Sequence, residues 1–255
     1  MSGQRRGRLL VGTSGWSYAH WTGVLYPPGL PSAERLARYS QVFSTVEVNS
    51  TFYRTPTERA VDAWRTQTPD GFVFAAKGPR LVTHVRRLRN VGDAVSSFLD
   101  RVGRLGSKLE VVLWQLPPSL SRDDALLEGF LTLLDGTPMR HAIEFRHESW
   151  LDQGVYARLR EHDVAMVNVS GETLPAVSCS TASFVYARFH GLPLYRGAYD
   201  ETALAPWAEL LARERAAGRD CYAYFNNDAE GHAPKDALRL LRMLGAPVEG
   251  TYLLT

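Results

Sequence analysis

Glu47, Glu144, Arg146, Arg188 and His190 stand late in runs that are otherwise apolar. A charge in an apolar strand costs on the order of several kcal/mol unless it is paired or reached by solvent. Two-residue spacing puts Glu47 with Asn49, Glu144 with Arg146, and Arg188 with His190 on common strand faces. Lys77 closes another apolar run, and Tyr53, His147, Asn226 and Asp228 follow shortly after others. General acid–base chemistry needs two titratable groups in different environments. Glu47 with Glu144, or Glu144 with His190, meets that need, and Lys77 can stabilise a developing negative charge. Trp16, Trp21, Tyr53, Trp150 and Tyr195 offer stacking walls for a sugar or a base. The competing reading of the same residues is a ring of structural salt bridges closing one end of the fold.

Glu47, His84, Glu144, His147, His190 and Asp228 are also the right types to hold zinc or manganese. None of them forms a short ligand motif, and Arg146, Arg188 and Lys77 compete with a cation for the same carboxylates. The expectation is therefore metal-independent chemistry with no cofactor, Glu144 and His190 leading, the glutamate as base and the histidine as proton donor. A metal-dependent, nuclease-like hydrolase stays open as an alternative. Between Gly71 and Gly92 lie Lys77, Arg80, Arg86, Arg87 and Arg89, with His84 among them and no acidic residue. That stretch reads in two ways: as a contact for an anionic partner, a small molecule or a nucleic-acid backbone, or as a solvated helix surface. The second reading is favoured for Arg86, Arg87 and Arg89, while Lys77 is read as functional. Lys77, Arg146 and Arg188 are the expected anion contacts.

These residues need a scaffold that brings strand ends together. Strand-like runs occur at Leu9–Thr13, Thr45–Asn49, Phe72–Lys77, Val111–Gln115, Ala142–Arg146, Val164–Val169, Phe184–His190 and Cys221–Phe225. Continuous apolar runs of this kind suit parallel strands covered on both faces. Helical periodicity falls between them. Ser32 is placed to cap a helix carrying Leu36, Tyr39 and Phe43, and Thr57 one carrying Val61 and Trp64. Asp93 leads into Val95 and Phe98, and Ser121–Asp124 reads as a capping box before Leu127 and Phe130. Ser149 precedes Val155 and Leu159; Leu204–Leu211 and Ala237–Leu244 complete the series. Only Gly171–Ser183, with Pro175, lacks a period, which predicts a short helix or an irregular connection after strand six. Eight strands alternating with helices predict an α/β fold, a single (β/α)₈ TIM-type barrel, with the polar strand ends converging at its C-terminal mouth.

The chain of 255 residues fits one such domain, expected over residues 8–255 behind a frayed basic tail at 1–7. The 29 basic against 27 acidic residues give a net charge of +2, which selects no partner class. Cys179 and Cys221 make no CxxC pair, and Cys221 lies in an apolar run, so a buried, inert thiol is expected. No apolar run approaches the roughly 20 residues of a membrane span, and a cytoplasmic location without membrane contact is expected.

Between Leu10 and Leu244 the sequence resembles the YecE-like proteins, the family of domain of unknown function 72. The resemblance rests on Gly12-Thr-Ser-Gly-Trp-Ser-Tyr18, Thr45-Val-Glu-Val-Asn-Ser-Thr-Phe-Tyr53, Thr83-His84 and Gln115-Leu-Pro-Pro118. It continues through Glu144-Phe-Arg-His147, Ser149-Trp150, Arg188-Phe-His-Gly191 and Tyr224-Phe-Asn-Asn-Asp228 with Gly231. It implies a TIM-barrel fold and no settled activity, so chemistry has to be argued from the residues. Two function classes stand: an acid–base enzyme acting on a phosphorylated or sugar- or nucleotide-like substrate, and a non-catalytic nucleic-acid-binding barrel.

Overall fold

A computed structural model describes residues 5–171, 174 and 178–246. Its eight strands are β1 (Leu9–Thr13), β2 (Thr45–Val48), β3 (Val73–Lys77), β4 (Leu109–Gln115), β5 (Arg140–Glu144), β6 (Ala165–Ser170), β7 (Phe184–Phe189) and β8 (Asp220–Phe225). All pair in parallel, each with its neighbours in sequence, and β1 pairs with β8 over Leu9–Thr13. The circuit closes between β1 and β2 through a single bridge, Ser14 to Glu47, with Gly15 N donating to Glu47 O at 2.7 Å. The expected (β/α)₈ barrel is thus present, with every strand within two residues of its predicted position.

Seven α-helices are described: α1 (Arg35–Tyr39), α2 (Glu58–Gln67), α3 (Gly92–Gly103), α4 (Asp124–Leu134), α5 (Gln153–Glu161), α6 (Glu201–Ala216) and α7 (His232–Met243). Thr57 caps α2 as expected, accepting from Ala60 N. Two other cap expectations are corrected. Ser32 lies inside a 3₁₀ turn that precedes α1 and makes no cap bond. Asp123, not Ser121, caps α4, and Asp152 caps α5. Each aspartate sits at the last extended residue, where its carboxylate can reach the free N–H groups of the first turn. Helix α7 begins five residues before its predicted start, because Pro234 falls in the first turn, where its missing N–H does no harm.

After β6 no helix occurs among the described residues, and Pro175 lies outside them. Residues 178–183 are irregular, as expected for this connection, and Asn168 and Thr181 bind them to β6. Of the tail expected to fray, residues 1–4 lie outside the described part; Gly7 is docked, its N–H donating to Arg215 O at 2.9 Å.

Period-two alternation divides the core into two layers. Outward strand residues such as Val46, Phe74, Val112 and Ile143 pack against the helices. Inward residues, among them Leu10, Val73, Ala75, Val111, Leu113, Ala142 and Val167, fill the barrel. The N-terminal end is closed by ions: Arg8 binds Glu110 and Asp220, each at 2.7 Å, and Arg140 binds Asp220 at 3.0 Å. The inward series continues towards the other end as Ser14, Glu47, Lys77, Glu144, Arg188 and Tyr224, which turns the top of the barrel polar.

Candidate active site

Arg188 is the hub of that polar layer. Its Nη2 lies 2.7 Å from Glu47 Oε1 and its Nη1 2.5 Å from Glu144 Oε2, and all three side chains are fully buried. The second Glu47 oxygen accepts from Tyr186 OH at 2.7 Å, and the first also accepts from Ser14 Oγ. Arg146 Nε donates to the remaining Glu144 oxygen. Burial works to raise both carboxyls, yet the guanidinium groups outweigh it. Arg188 holds Glu47 below its ordinary range, and Arg146 with Arg188 holds Glu144 well below. Both are firm carboxylates with every oxygen engaged.

His190 sits beside them, its Nε2 3.7 Å from Glu144 Oε1 and 3.0 Å from Arg146 Nη2. Arg146 offers only donors at Nε2, and the amide nitrogen of Asn226 is a donor facing Nδ1 at 3.2 Å, so both ring nitrogens meet N–H groups. Burial, with help from Arg188 and Arg146 and against Glu144, brings His190 down to about 4. The sequence-level pairing of Glu144 with His190 is met in space. The electrostatics weigh against the expected division of labour, because a histidine brought down to about 4 is neutral near pH 7 and a carboxylate held this low is a weak base.

Lys77 closes β3 one layer above Ala75, which pairs with Glu47. It is 6% exposed, its ammonium 4.2 Å from the centre of the Phe52 ring. Among the described residues that ammonium has no hydrogen-bond or ion-pair partner, since the glutamate oxygens nearby are taken. Burial first, then Arg188, pushes Lys77 down to about 7. His84, on a turn after β3, packs edge-on against Phe52 at 4.9 Å. Burial together with Lys77, Arg80 and Arg146 brings it to about 4. Three cations therefore converge around one neutral histidine.

The other expected site residues scatter around this centre. Asn49 and Tyr53 line a cleft of ≈ 280 Å³ with Trp16 and Tyr18. Tyr53 is 76% exposed, and the buried Asn49 Oδ1 has no hydrogen-bond partner. Asp228 faces His20, 3.5 Å from its Nε2, and burial raises its carboxyl. His147 turns away into the loop, where its Nδ1 accepts from Ser149 N and caps a 3₁₀ turn. The basic stretch is also largely occupied. Arg86 donates to Asn90 O, Arg87 to Ser119 O, and Arg89 to Asp123, leaving Arg80 at the rim. No three His, Cys, Asp or Glu side chains gather in a metal-holding cluster among the described residues.

Sequence reasoning missed Ser14, Tyr186 and Phe52, none of which it singled out. Strand parity could have found Tyr186, two residues before Arg188 on the same face.

Comparison with known proteins places the chain. It is 33% identical over 147 residues to UPF0759 protein YecE of Escherichia coli K12, a match that spans about half of that relative, 51% of its length and 57% of this chain. UPF0759 protein YunF of Bacillus subtilis is 26% identical over 279 residues, covering 95% of this chain and 96% of YunF. Among solved structures, a DUF72 family protein of Thermotoga maritima superposes with a TM-score of 0.84 at 30% identity, over 93% of this chain and 99% of that one. One from Enterococcus faecalis V583 gives 0.80 at 18%, covering 95% and 98%. D-psicose 3-epimerase, at 0.55 and 13% over 93% of this chain and all of its own, shares the fold alone. The family described as "Protein of unknown function DUF72" matches residues 10–254, and this chain belongs to it.

Proposed function

We propose that the C-terminal barrel mouth is the active site of an enzyme that carries out acid–base chemistry on a small anionic substrate, phosphorylated or sugar- or nucleotide-like. The observation that carries this reading is Lys77, buried beside ion pairs that leave it without a partner among the described residues. A purely structural ring of salt bridges has no use for a third, unpaired cation beside Arg188 and Arg146. In this reading Lys77 moves the proton, and the Glu47–Arg188–Glu144 floor keeps the field fixed while it does so. Its nearness to neutrality, about 7, suits that task. The cations around His84 favour the substrate's anionic group, and the aromatic cleft at Asn49 and Tyr53 takes its body.

A nucleic-acid-binding barrel is less well supported, because Arg86, Arg87 and Arg89 are bound by their own loops. A divalent ion also fits poorly, since arginines, Ser14 and Tyr186 already occupy the oxygens of both glutamates. Two free cysteines suit a reducing cytoplasm, and no helix among the described residues is long and apolar enough to cross a membrane.

The test is thermal unfolding at low ionic strength with inorganic phosphate, sulfate and a panel of sugar phosphates and oxo acids. A rise in melting temperature that Lys77→Met or Arg80→Ala removes is expected. Unchanged melting across the whole panel would sink the proposal.

A further inference from the structure

Of the 29 basic residues in the chain, only Lys77, Lys108 and Lys235 are lysines; the other 26 are arginines. Lys108 ties down a loop, donating to Arg65 O at 2.8 Å and Thr68 O at 2.7 Å. Lys235 is exposed on α7. Lys77 alone is buried, inside the barrel. Elsewhere this chain assigns buried cation duties to arginine, as at Arg188 and Arg146. Arginine grips anions in two places at once and does not give up its proton. What lysine can do and arginine cannot is present a neutral amine with a free lone pair. Burial and Arg188 favour that form against the pull of the Phe52 face, Glu144 and Glu47, and among the described residues no carboxylate oxygen binds the nitrogen.

We propose that Lys77 is a covalent nucleophile that condenses with the carbonyl carbon of a small anionic carbonyl compound, an oxo acid or a phosphorylated aldose or ketose, to form a protonated imine. This rests on the reading of the mouth as the active site and adds the substrate class. The nitrogen lone pair forms the C–N bond while the carbonyl π pair moves to oxygen, which takes a proton. The carbinolamine then loses that oxygen as water as the nitrogen lone pair closes the C=N bond. In sum, amine, carbonyl and one solvent proton give iminium and water, and nothing is oxidised or reduced. The iminium is an electron sink for breaking a bond at the adjacent carbon, which is how a lysine turns an unreactive carbonyl into a leaving partner. Arg80 and Arg146, the other two cations around His84, supply the field for the anionic group.

The experiment is reductive trapping. The full chain is incubated with pyruvate in one arm and glyceraldehyde 3-phosphate in the other, reduced with borohydride, digested and mapped by mass spectrometry. With three lysines, assignment is unambiguous. Labelling of Lys77 at least about tenfold above Lys108 and Lys235 is expected in one arm or both, with the responding arm distinguishing oxo acid from sugar phosphate. Lys77→Arg, which keeps the positive charge, and Lys77→Met, which keeps the length, should each abolish it while circular dichroism stays unchanged. Equal labelling of the three lysines, no labelling in either arm, or undiminished total labelling in both variants overturns the covalent role. If Lys77 stays unlabelled but anions still raise the melting temperature in a Lys77-dependent way, the active-site reading survives without the imine. If anions have no effect on the wild type, that reading falls as well.

Discussion

Arg188 Nη2 and Glu47 Oε1 meet at 2.7 Å across 141 residues of sequence, and neither side chain touches solvent. Removing the cation leaves two buried carboxylates facing each other. Arg188→Met should therefore cost about 3–5 kcal/mol of stability, the usual penalty for orphaning buried charge. Adding Glu47→Gln to that variant should recover part of the loss. Urea unfolding of the single and double variants measures both effects; a loss below about 1 kcal/mol for the single would mean that water reaches this layer.

Lys77 predicts the opposite sign. Its folded value, about 7, lies below the ordinary 10.5, so across that interval the unfolded chain holds more protons. Stability must then rise with pH from about 7 towards 10.5. Lys77→Met abolishes this slope and should be more stable than the parent by on the order of a few kcal/mol at pH 7, with the gain fading by pH 10.5. Paired urea titrations at the two pH values check it. A variant less stable than the parent at pH 7 would show that the ammonium has a stabilising partner.

Acid should weaken the fold first through its buried histidines. Burial holds His190 and His141 at about 4, below the ordinary 6.5, so the unfolded chain takes up protons first as pH falls. Their stabilisation is complete above pH 6.5 and lost between 6.5 and 4, at up to about 1.4 kcal/mol per pH unit for each histidine. His162 runs the other way. Bonded to Asp135 and Glu128 and raised by them, it stabilises below its ordinary range and ceases to as pH rises through its folded value. Melting curves from pH 7 to 4 for the parent and His190→Gln should diverge, the variant having the shallower slope.

Gly12, in β1, allows the seam to shut. A Cβ there would stand 2.2 Å from Thr45 O and 2.9 Å from Tyr39 OH. Gly12→Ala should push β1 from β2, lower the melting temperature by roughly 4–8 °C or more, and speed amide exchange at Gly15. Parental melting would mean that the seam yields at little cost.

The strands and their polar ends were legible because burial on both faces writes an apolar run, and any charge inside it stands out. Cap positions near Ser32 and Ser121 were not, because several polar residues precede each helix and only chain direction selects one. The convergence of Glu47, Glu144, Arg146, Arg188, His190 and Asn226 followed from strand parity. Roles did not follow, because they depend on which oxygen each guanidinium takes. His147 shows the limit: adjacent to Arg146 in sequence, it lies beyond the end of β5 and caps the turn Glu148–Trp150 instead of joining the site.

At the seam, the Tyr39 hydroxyl accepts Thr13 N at 2.9 Å and donates to Thr45 O at 3.0 Å, a side-chain rung where the ladder between β1 and β2 is nearly absent. The first strand thus has its full partner only in the last. As the chain leaves the ribosome, β2 to β7 can pair in the order they emerge, whereas β1 must wait for β8. Throughout synthesis the apolar Leu9–Thr13 edge stays open until β8 arrives to cover it, so the barrel closes only when its last strand is made.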